Sequence, residues 1–360
     1  MTLPAHLASI LDLARWAPSG DNTQPWKFEI LGDEHVLVHG FDTRDHVVYD
    51  RDGHASQLAI GALLETMEIS ATTQGRRCEI VRRPDTPETH LLIDVRFTQD
   101  ATVALDPLAA GIEKRVVQRR PMSTQALTTD QKAALAAALP EGYQIIWFES
   151  LSERWRMARF MFDNAKVRLT IPEGYEVHSS VIEWNAQFSE DRIPDQAVGV
   201  DPLTARLMRW VMGSWTRVEF FNKYLLGDLP PRIQLDLLPG VFCAAHYALL
   251  ADKPLQSIDD YVTAGRAMQR FWLTATRLGL FIQPEMTPVI FTRYHRNGLR
   301  YTQNTKANAL VNNLNRRLLD VLVGLRPDTL FFMGRMGFGP APRARSTRKS
   351  LSSLIGNGTV

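Results

Sequence analysis

Three arginines fall within six residues at Arg115, Arg119 and Arg120, in the run Arg115-Val116-Val117-Gln118-Arg119-Arg120-Pro121-Met122. A guanidinium is a planar fork of donors that keeps its charge when buried, so such a cluster suits the chelation of a phosphate. The competing reading is a solvated basic turn. A second run, Arg15-Trp16-Ala17-Pro18-Ser19-Gly20-Asp21-Asn22-Thr23-Gln24-Pro25-Trp26, makes a rigid loop dense in small hydrogen-bonding side chains. Ser19, Asn22 and Gln24 offer donors and acceptors to the polar edge of a planar heterocycle, with Trp26 as an anchor. Composition alone equally fits a polar connector, because Ser, Asn and Gly are turn residues. Near the C-terminus Gly337-Phe338-Gly339-Pro340 leads to Arg343, Arg345 and Arg348. No helix follows these glycines, so they are no dinucleotide fingerprint. There is no G-x-S-x-G elbow, no cysteine with a histidine partner and no H-E-x-x-H. His39, His46, His54, His178 and His246 are scattered and read as structural.

The elements that must hold these runs follow from periodicity. Pro4 to Trp16 predicts a helix with Leu7, Ile10, Leu11 and Ala14 on one face, stopped by Pro18 and Gly20. Trp26 to Leu31 and His35 to His39 predict a hairpin, followed by a helix over Ser56 to Thr73 and a strand over Leu91 to Phe97. A capped helix from Thr128 to Leu139 and a strand from Tyr143 to Phe148 begin the pattern again. Leu151 to about Leu235 reads as helical, broken by a polar loop from Glu190 to Val200 and by Pro230-Pro231. Val241 to Leu250, Pro288 to Thr292 and Thr329 to Gly334 read as strands. Ala264 to Leu280 is an amphipathic helix, and another helix spans about Asn308 to Leu325. The fold class expected is α+β with mixed order.

The chain has 360 residues, 45% of them hydrophobic, enough for one large domain or two ordinary ones. Forty-one basic residues against 39 acidic leave a formal charge of +2, and a nucleic-acid partner is not expected. Cys78 and Cys243 stand alone, without zinc-ligand spacing, and fit a reducing, cytoplasmic setting. No leader and no membrane span are expected.

The order R-x-A-P-S-x-x-N-x-Q-P-W resembles the signature of the FMN-dependent nitroreductase family. The resemblance implies an FMN cofactor with Arg15, Pro18, Ser19, Asn22 and Gln24 in a loop lying against it. In the family that flavin is usually held mainly by the other subunit of a dimer. An R-x-x-x-R element there grips the FMN phosphate and the pyrimidine edge of the ring. Arg115 and Arg119, with Val116 and Val117 between them, look like its counterparts. Many members carry Ser or Thr where this chain has Val117, so one hydroxyl contact is missing. The C-terminal run resembles the family's closing G-Y-x-P strand end, whose downstream arginine completes the phosphate site. Arg348 matches by its place before the final apolar residue, and Arg345 is close enough to compete. Arg277-Leu278-Gly279-Leu280-Phe281-Ile282-Gln283-Pro284-Glu285 resembles the G-L-G turn, where a backbone N–H faces flavin N5. Gln283 or Glu285 would present it, since Pro284 has no N–H.

A family subunit normally begins with the arginine element and reaches the polar loop soon afterward. Here the loop comes first and the arginines a hundred residues later, and after the second helix the loop has shrunk to Pro140-Glu141-Gly142-Tyr143. The order implies a fused pseudo-dimer of nitroreductase-like halves, 1–110 and 111–360, with a helical insertion or lid at about 151–235. One FMN per chain is expected. With the segment near Trp184 and the loop Asp191-Arg192-Ile193-Pro194, the chain is similar to the Acg-like single-chain branch along nearly its whole length. The implied activity is electron transfer from NADH or NADPH through flavin N5 to a small aromatic, quinone or nitro acceptor, by a monomeric pseudo-dimer or a homodimer. The alternative is an FMN-sequestering or storage protein whose insertion shuts off the ring. The aromatic and basic stretch from Trp210 to Pro239 fits a helical cover, a membrane-surface patch or core packing.

Overall fold

The computed structural model describes residues 3–322 and 326–356. Helix α1, Ala5–Ala14, buries Leu7, Ile10, Leu11 and Ala14, the face its periodicity announces. The hairpin strands β1 (Trp26–Gly32) and β2 (His35–Phe41) follow the loop after α1, and α2 covers His54–Thr72. Strands β3 (Arg76–Arg82) and β4 (His90–Gln99) complete an antiparallel sheet ordered β1-β2-β4-β3. Hydrophobic periodicity does not announce β3. It is mostly charged, and only Cys78 and Ile80 alternate inward onto the core.

A second antiparallel sheet gathers residues from the rest of the chain. Helix α3, Thr129–Ala137, starts from a capping box between Thr128 and Gln131 and leads into β5, Tyr143–Phe148. The long helical stretch is broken into α4 (Leu151–Leu169), α5 (Pro172–Val181), α6 (Pro202–Val211) and α7 (Trp215–Tyr224). Strand β6, Ala245–Ala251, is buried throughout, and α8 spans Ile258–Arg277. The sheet closes with β7 (Phe281–Pro284) and β8 (Leu330–Gly337) in the order β7-β8-β6-β5.

Two sequence expectations are corrected here. Pro288 to Thr292 is not a strand but part of α9, Thr287–Arg296. Short apolar runs do not distinguish strand from helix, and Pro288 sits in the first helical turn, where proline is tolerated. Strand β6 begins at Ala245 rather than Val241, because Leu238–Val241 still winds as helix. The helix expected over Asn308 to Leu325 is α10, Thr305–Val321; its expected end at Leu325 lies outside the described residues.

The two sheets are joined by the crossing of α2 and α8. A Cβ on Gly61 would lie 2.0 Å from the Val262 carbonyl oxygen, and one on Gly265 would lie 2.2 Å from that of Leu58. The helix backbones touch, so only glycine fits at either position. Gly61→Ala is expected to cost about 3 kcal/mol by forcing the helices apart, read as a lowered denaturation midpoint. An unchanged midpoint would show that the crossing yields easily.

After β8 the chain runs back across the molecule, and Ile355 bridges Phe28 on β1 of the first sheet. This return brings residues 343–350 against the loop after α1.

Candidate functional site

Helix α1 ends at Arg15 and delivers Trp16 to the centre of a group of arginines. The Arg15 guanidinium lies 5.5 Å from the Trp16 ring, that of Arg345 5.0 Å and that of Arg348 5.9 Å. Arg115 donates through Nη2 to the Trp16 carbonyl at 2.9 Å and stacks 4.6 Å over Trp272 of α8. Arg345 in turn donates to the carbonyls of Glu113 and Arg115 at 2.9 and 3.3 Å. Arg348 donates through Nε to the Ala17 carbonyl at 3.1 Å and through Nη1 to that of Thr347 at 2.6 Å. Four arginines from three distant parts of the chain, Arg15, Arg115 and the neighbours Arg345 and Arg348, thus meet at Trp16.

Their charges are not balanced. Every hydrogen bond of Arg115, Arg345 and Arg348 goes to a backbone carbonyl, and among the described residues none of the three forms an ion pair. Arg115 and Arg348 are buried, and the Nε atoms of Arg115 and Arg345 have no partner. Burial, then the cations Arg348 and Arg345, pushes the Arg115 guanidinium well below the ordinary arginine range. Arg348 is lowered by burial, then by Arg345 and Arg15. A buried charge without a counter-ion costs several kcal/mol. Glu113 offsets the charge of Arg345 only in part, and guanidiniums with free donors, here those of Arg115 and Arg345, are suited to an anion such as a phosphate. Arg15 stands at the edge of this group, paired to Asp12 at 2.7 Å and donating to the Lys349 carbonyl.

The loop itself is held in an unusual backbone conformation. Asp21, Asn22 and Gln24 have φ of 48°, 64° and 50°, the left-handed region that side chains normally avoid. Such strain persists where surrounding contacts over-determine it, and it clusters at functional sites. Pro18 is buried, and the Ser19 hydroxyl accepts the Gln24 N–H at 2.9 Å. The Asn22 amide donates to the carbonyls of Glu190, Arg192 and Thr347, while its Oδ1 is buried and unpaired. Gln24 differs from the sequence expectation of an available ring contact. Its amide nitrogen donates to Asn22 and Glu190 carbonyls and its oxygen accepts the Lys349 N–H, so it pegs the loop to the tail and to the segment near residue 190.

Arg119 lies on the other side of the loop. Burial pushes its guanidinium down to about 10; Asp21 opposes this, and Arg335 and Arg168 add to it. It donates to the Ala197 carbonyl at 3.2 Å. Val117 bridges Ile282 on β7, and the Gln118 N–H donates to the Ile282 carbonyl, which fixes the arginine run beside that strand. Val116 is half-buried in the same run. The free N–H expected at Gln283 or Glu285 is absent. The Glu285 N–H donates to the Met333 carbonyl at 2.8 Å, and Gln283 pairs with Arg335 two places along the same antiparallel ladder, again a hydrogen-bonding position. What Gln283 does leave free is its buried side-chain oxygen, its amide nitrogen being used on the Pro284 carbonyl.

The Glu285 carboxylate belongs to the scaffold. It accepts from His246 Nδ1 at 2.8 Å and from Arg335 at 3.2 Å, while His246 Nε2 donates to the Gly240 carbonyl at 2.7 Å. Arg335 also donates to the Arg119 carbonyl at 2.8 Å, which ties this network to the site. Sequence reading missed Trp16, Trp272, Asp21 and Arg335. Trp16 and Asp21 stand inside the motif run itself, but nothing local marks Trp272 or Arg335.

The chain matches no protein-family model and no curated protein. Among solved structures it is similar to a nitroreductase-like family protein from Bacillus cereus at 12% identity and TM-score 0.34, covering 70% of this chain and 96% of that one. The FMN- and NADPH-dependent nitroreductase NfnB from sphigopyxis sp. strain HMH aligns at 17% identity and TM-score 0.35, over 71% of this chain and 100% of that one. A putative nitroreductase from anabaena variabilis aligns at 11% identity and TM-score 0.38, covering 85% and 69%.

Proposed function

We propose that this chain binds one FMN and acts as a flavin-dependent oxidoreductase of the nitroreductase type. The observation that carries the reading is the group of Arg115, Arg345 and Arg348, buried or half-buried around Trp16 with carbonyl partners only. These three would hold the phosphate. The unpaired buried oxygens of Asn22 and Gln283 accept N–H donors, and Arg119 donates, which fits the pyrimidine edge of a flavin. Bound there, FMN would supply electron transfer between NADH or NADPH and a small aromatic, quinone or nitro acceptor.

The protein's own part is to bind, orient and exclude water. Loop 19–24 is held rigid from three sides, by its own turns, by the tail at Thr347 and Lys349, and by the segment near Glu190. Beside these contacts the surface carries an open cleft lined by Glu183, Glu190, Asp191 and Arg192, with none of the arginine group on its wall. The Tyr49 hydroxyl pairs with His178 Nε2 at 2.9 Å, and burial, then Arg168, lowers His178 to about 3. The pair is therefore neutral at ordinary pH and keeps its proton on Tyr49 Oη.

The two sheets and the α2–α8 crossing support a reading of the chain as two fused halves with one site made from both. Titration of the empty protein with FMN is expected to saturate at one equivalent, with the bound flavin released intact on denaturation. Saturation at two equivalents, or no binding, would sink the proposal. One observation favours the storage alternative: residues 187–199 sit on the site, with Asn22 bonded to Glu190 and Arg119 to Ala197. Steady NAD(P)H oxidation by the FMN-loaded protein with a quinone or nitroaromatic supports the enzyme, and full loading without turnover supports storage.

A further inference from the structure

Helices α6 and α7 form a hairpin that buries none of its residues. Core packing, one of the readings for the stretch from Trp210 to Pro239, therefore does not describe these two helices, although Asp228, Arg232, Asp236 and Pro239 beyond them are buried. On α6 the exposed apolar residues are Leu203, Leu207 and Trp210, spaced i, i+4, i+7 along one stripe. On α7 they are Phe220 and Tyr224, one turn apart, and Leu225 and Leu226 extend the patch at 56% and 64% exposure. Monomeric proteins seldom leave contiguous large apolar side chains in water unless another surface covers them.

The charge on the patch selects the covering surface. Arg206, Arg209, Arg217 and Lys223 are all exposed, and Glu219 is the single acidic residue from 202 to 226. Helical spacing puts Arg206 on the flank of the α6 stripe, and Arg217 and Lys223 on either side of the α7 stripe. Arg217 lies 4.9 Å from the Trp210 ring and Lys223 5.0 Å from the Tyr224 ring, so the cations stand at the rims of the aromatics. Pairing with a second copy about a two-fold axis would set these four cations against themselves. An anionic lipid surface complements them, and Trp, Tyr, Phe and Leu flanked by Arg and Lys is the composition of an interfacial helix. The hairpin is also fixed in place for this use. Asn222 donates to the Leu169 carbonyl at 2.7 Å and the Tyr175 hydroxyl to the Met212 carbonyl at 3.1 Å, both on the inner side.

We propose that α6 and α7 are a docking surface for an anionic lipid bilayer, with the two apolar stripes at the acyl boundary and the four cations among the headgroups. No described helix is long and apolar enough to cross a membrane, so attachment would be peripheral. The surface stands apart from the flavin reading and does not depend on it. The test is co-sedimentation of the full chain with phosphatidylcholine vesicles with and without phosphatidylglycerol. Binding should require phosphatidylglycerol and weaken as salt rises. Arg206→Glu with Arg209→Glu should lower partitioning about tenfold or more. Trp210→Ser with Phe220→Ser should do the same while leaving the thermal melt unchanged, since both side chains are about half exposed. Failure of the unmodified chain to bind phosphatidylglycerol vesicles would overturn the proposal. So would a dimer in sedimentation velocity that the Trp210→Ser, Phe220→Ser variant dissociates, because a second copy would then own the patch.

Discussion

Arg115→Ala is expected to weaken FMN binding by about 2–5 kcal/mol while leaving the empty protein no less stable. The two halves of this expectation come from the same geometry. With a phosphate present, Arg115 is a buried donor facing an anion, and removing it strips the site of a charge-assisted contact. Without the phosphate it is a buried cation beside Arg345 and Arg348, and its burial and theirs both oppose its charge. Its one hydrogen bond, to the Trp16 carbonyl, and its stacking on Trp272 offset part of that cost. Deleting it therefore relieves repulsion and loses about as much in contacts. Titration of FMN fluorescence gives the first quantity, and chemical denaturation of the empty protein the second. Arg115→Lys should fall between the wild type and alanine in affinity, because it keeps the charge and loses the planar fork. Undiminished FMN affinity in Arg115→Ala would remove Arg115 from the site. A large stability loss without FMN would mean that the residue is structural.

What the sequence makes legible divides along physical lines. The face of α1, the first hairpin, α2 and the capping box of α3 follow from local spacing, and local spacing is visible in a chain. The arginines at 115, 345 and 348 are visible as residue types, but their meeting at Trp16 depends on a tail that crosses back from the second sheet to the first. No periodicity encodes that return. The strand β3 is hidden because its sheet face is charged, and α9 because its apolar run is too short to distinguish a period of two from 3.6. The roles expected of Gln24 and Glu285 shifted for a common reason. A side chain's chemistry can be read from its type, but not which of several partners claims it, and here the chain itself claims both.

The claim on Glu285 leads to the second large effect, on stability: Glu285→Ala should destabilise the fold by about 3–5 kcal/mol near neutral pH. Glu285, His246 and Arg335 are all buried on β6, β8 and the residue just after β7. Both ring nitrogens of His246 face oxygens, Glu285 on one side and the Gly240 carbonyl on the other, so both must donate and the ring is an imidazolium. Burial acts most strongly and lowers the His246 pKa, but the Glu285 carboxylate and the Cys243 sulfur together outweigh it and raise the pKa to about 10. Because the folded value lies above the unfolded one of about 6.5, this pair's stabilisation is fully present below about pH 6.5 and is lost as pH rises through 10. On the acid side, burial raises the Glu285 pKa, but His246 and Arg335 outweigh it and leave the carboxyl below its ordinary range. Its contribution is present above that range and fails as pH falls through the lowered value. Stability is thus expected to hold a plateau from mild acid to neutrality and to decline in alkali. Alanine at 285 leaves Arg335 buried without its carboxylate and returns His246 to the neutral form, so the variant should be weaker at neutral pH and lose the decline between pH 6.5 and 10. Denaturant midpoints for both proteins at neutral and alkaline pH test this. An alkaline decline of equal size in the variant would show that other groups produce it and that the imidazolium assignment is wrong.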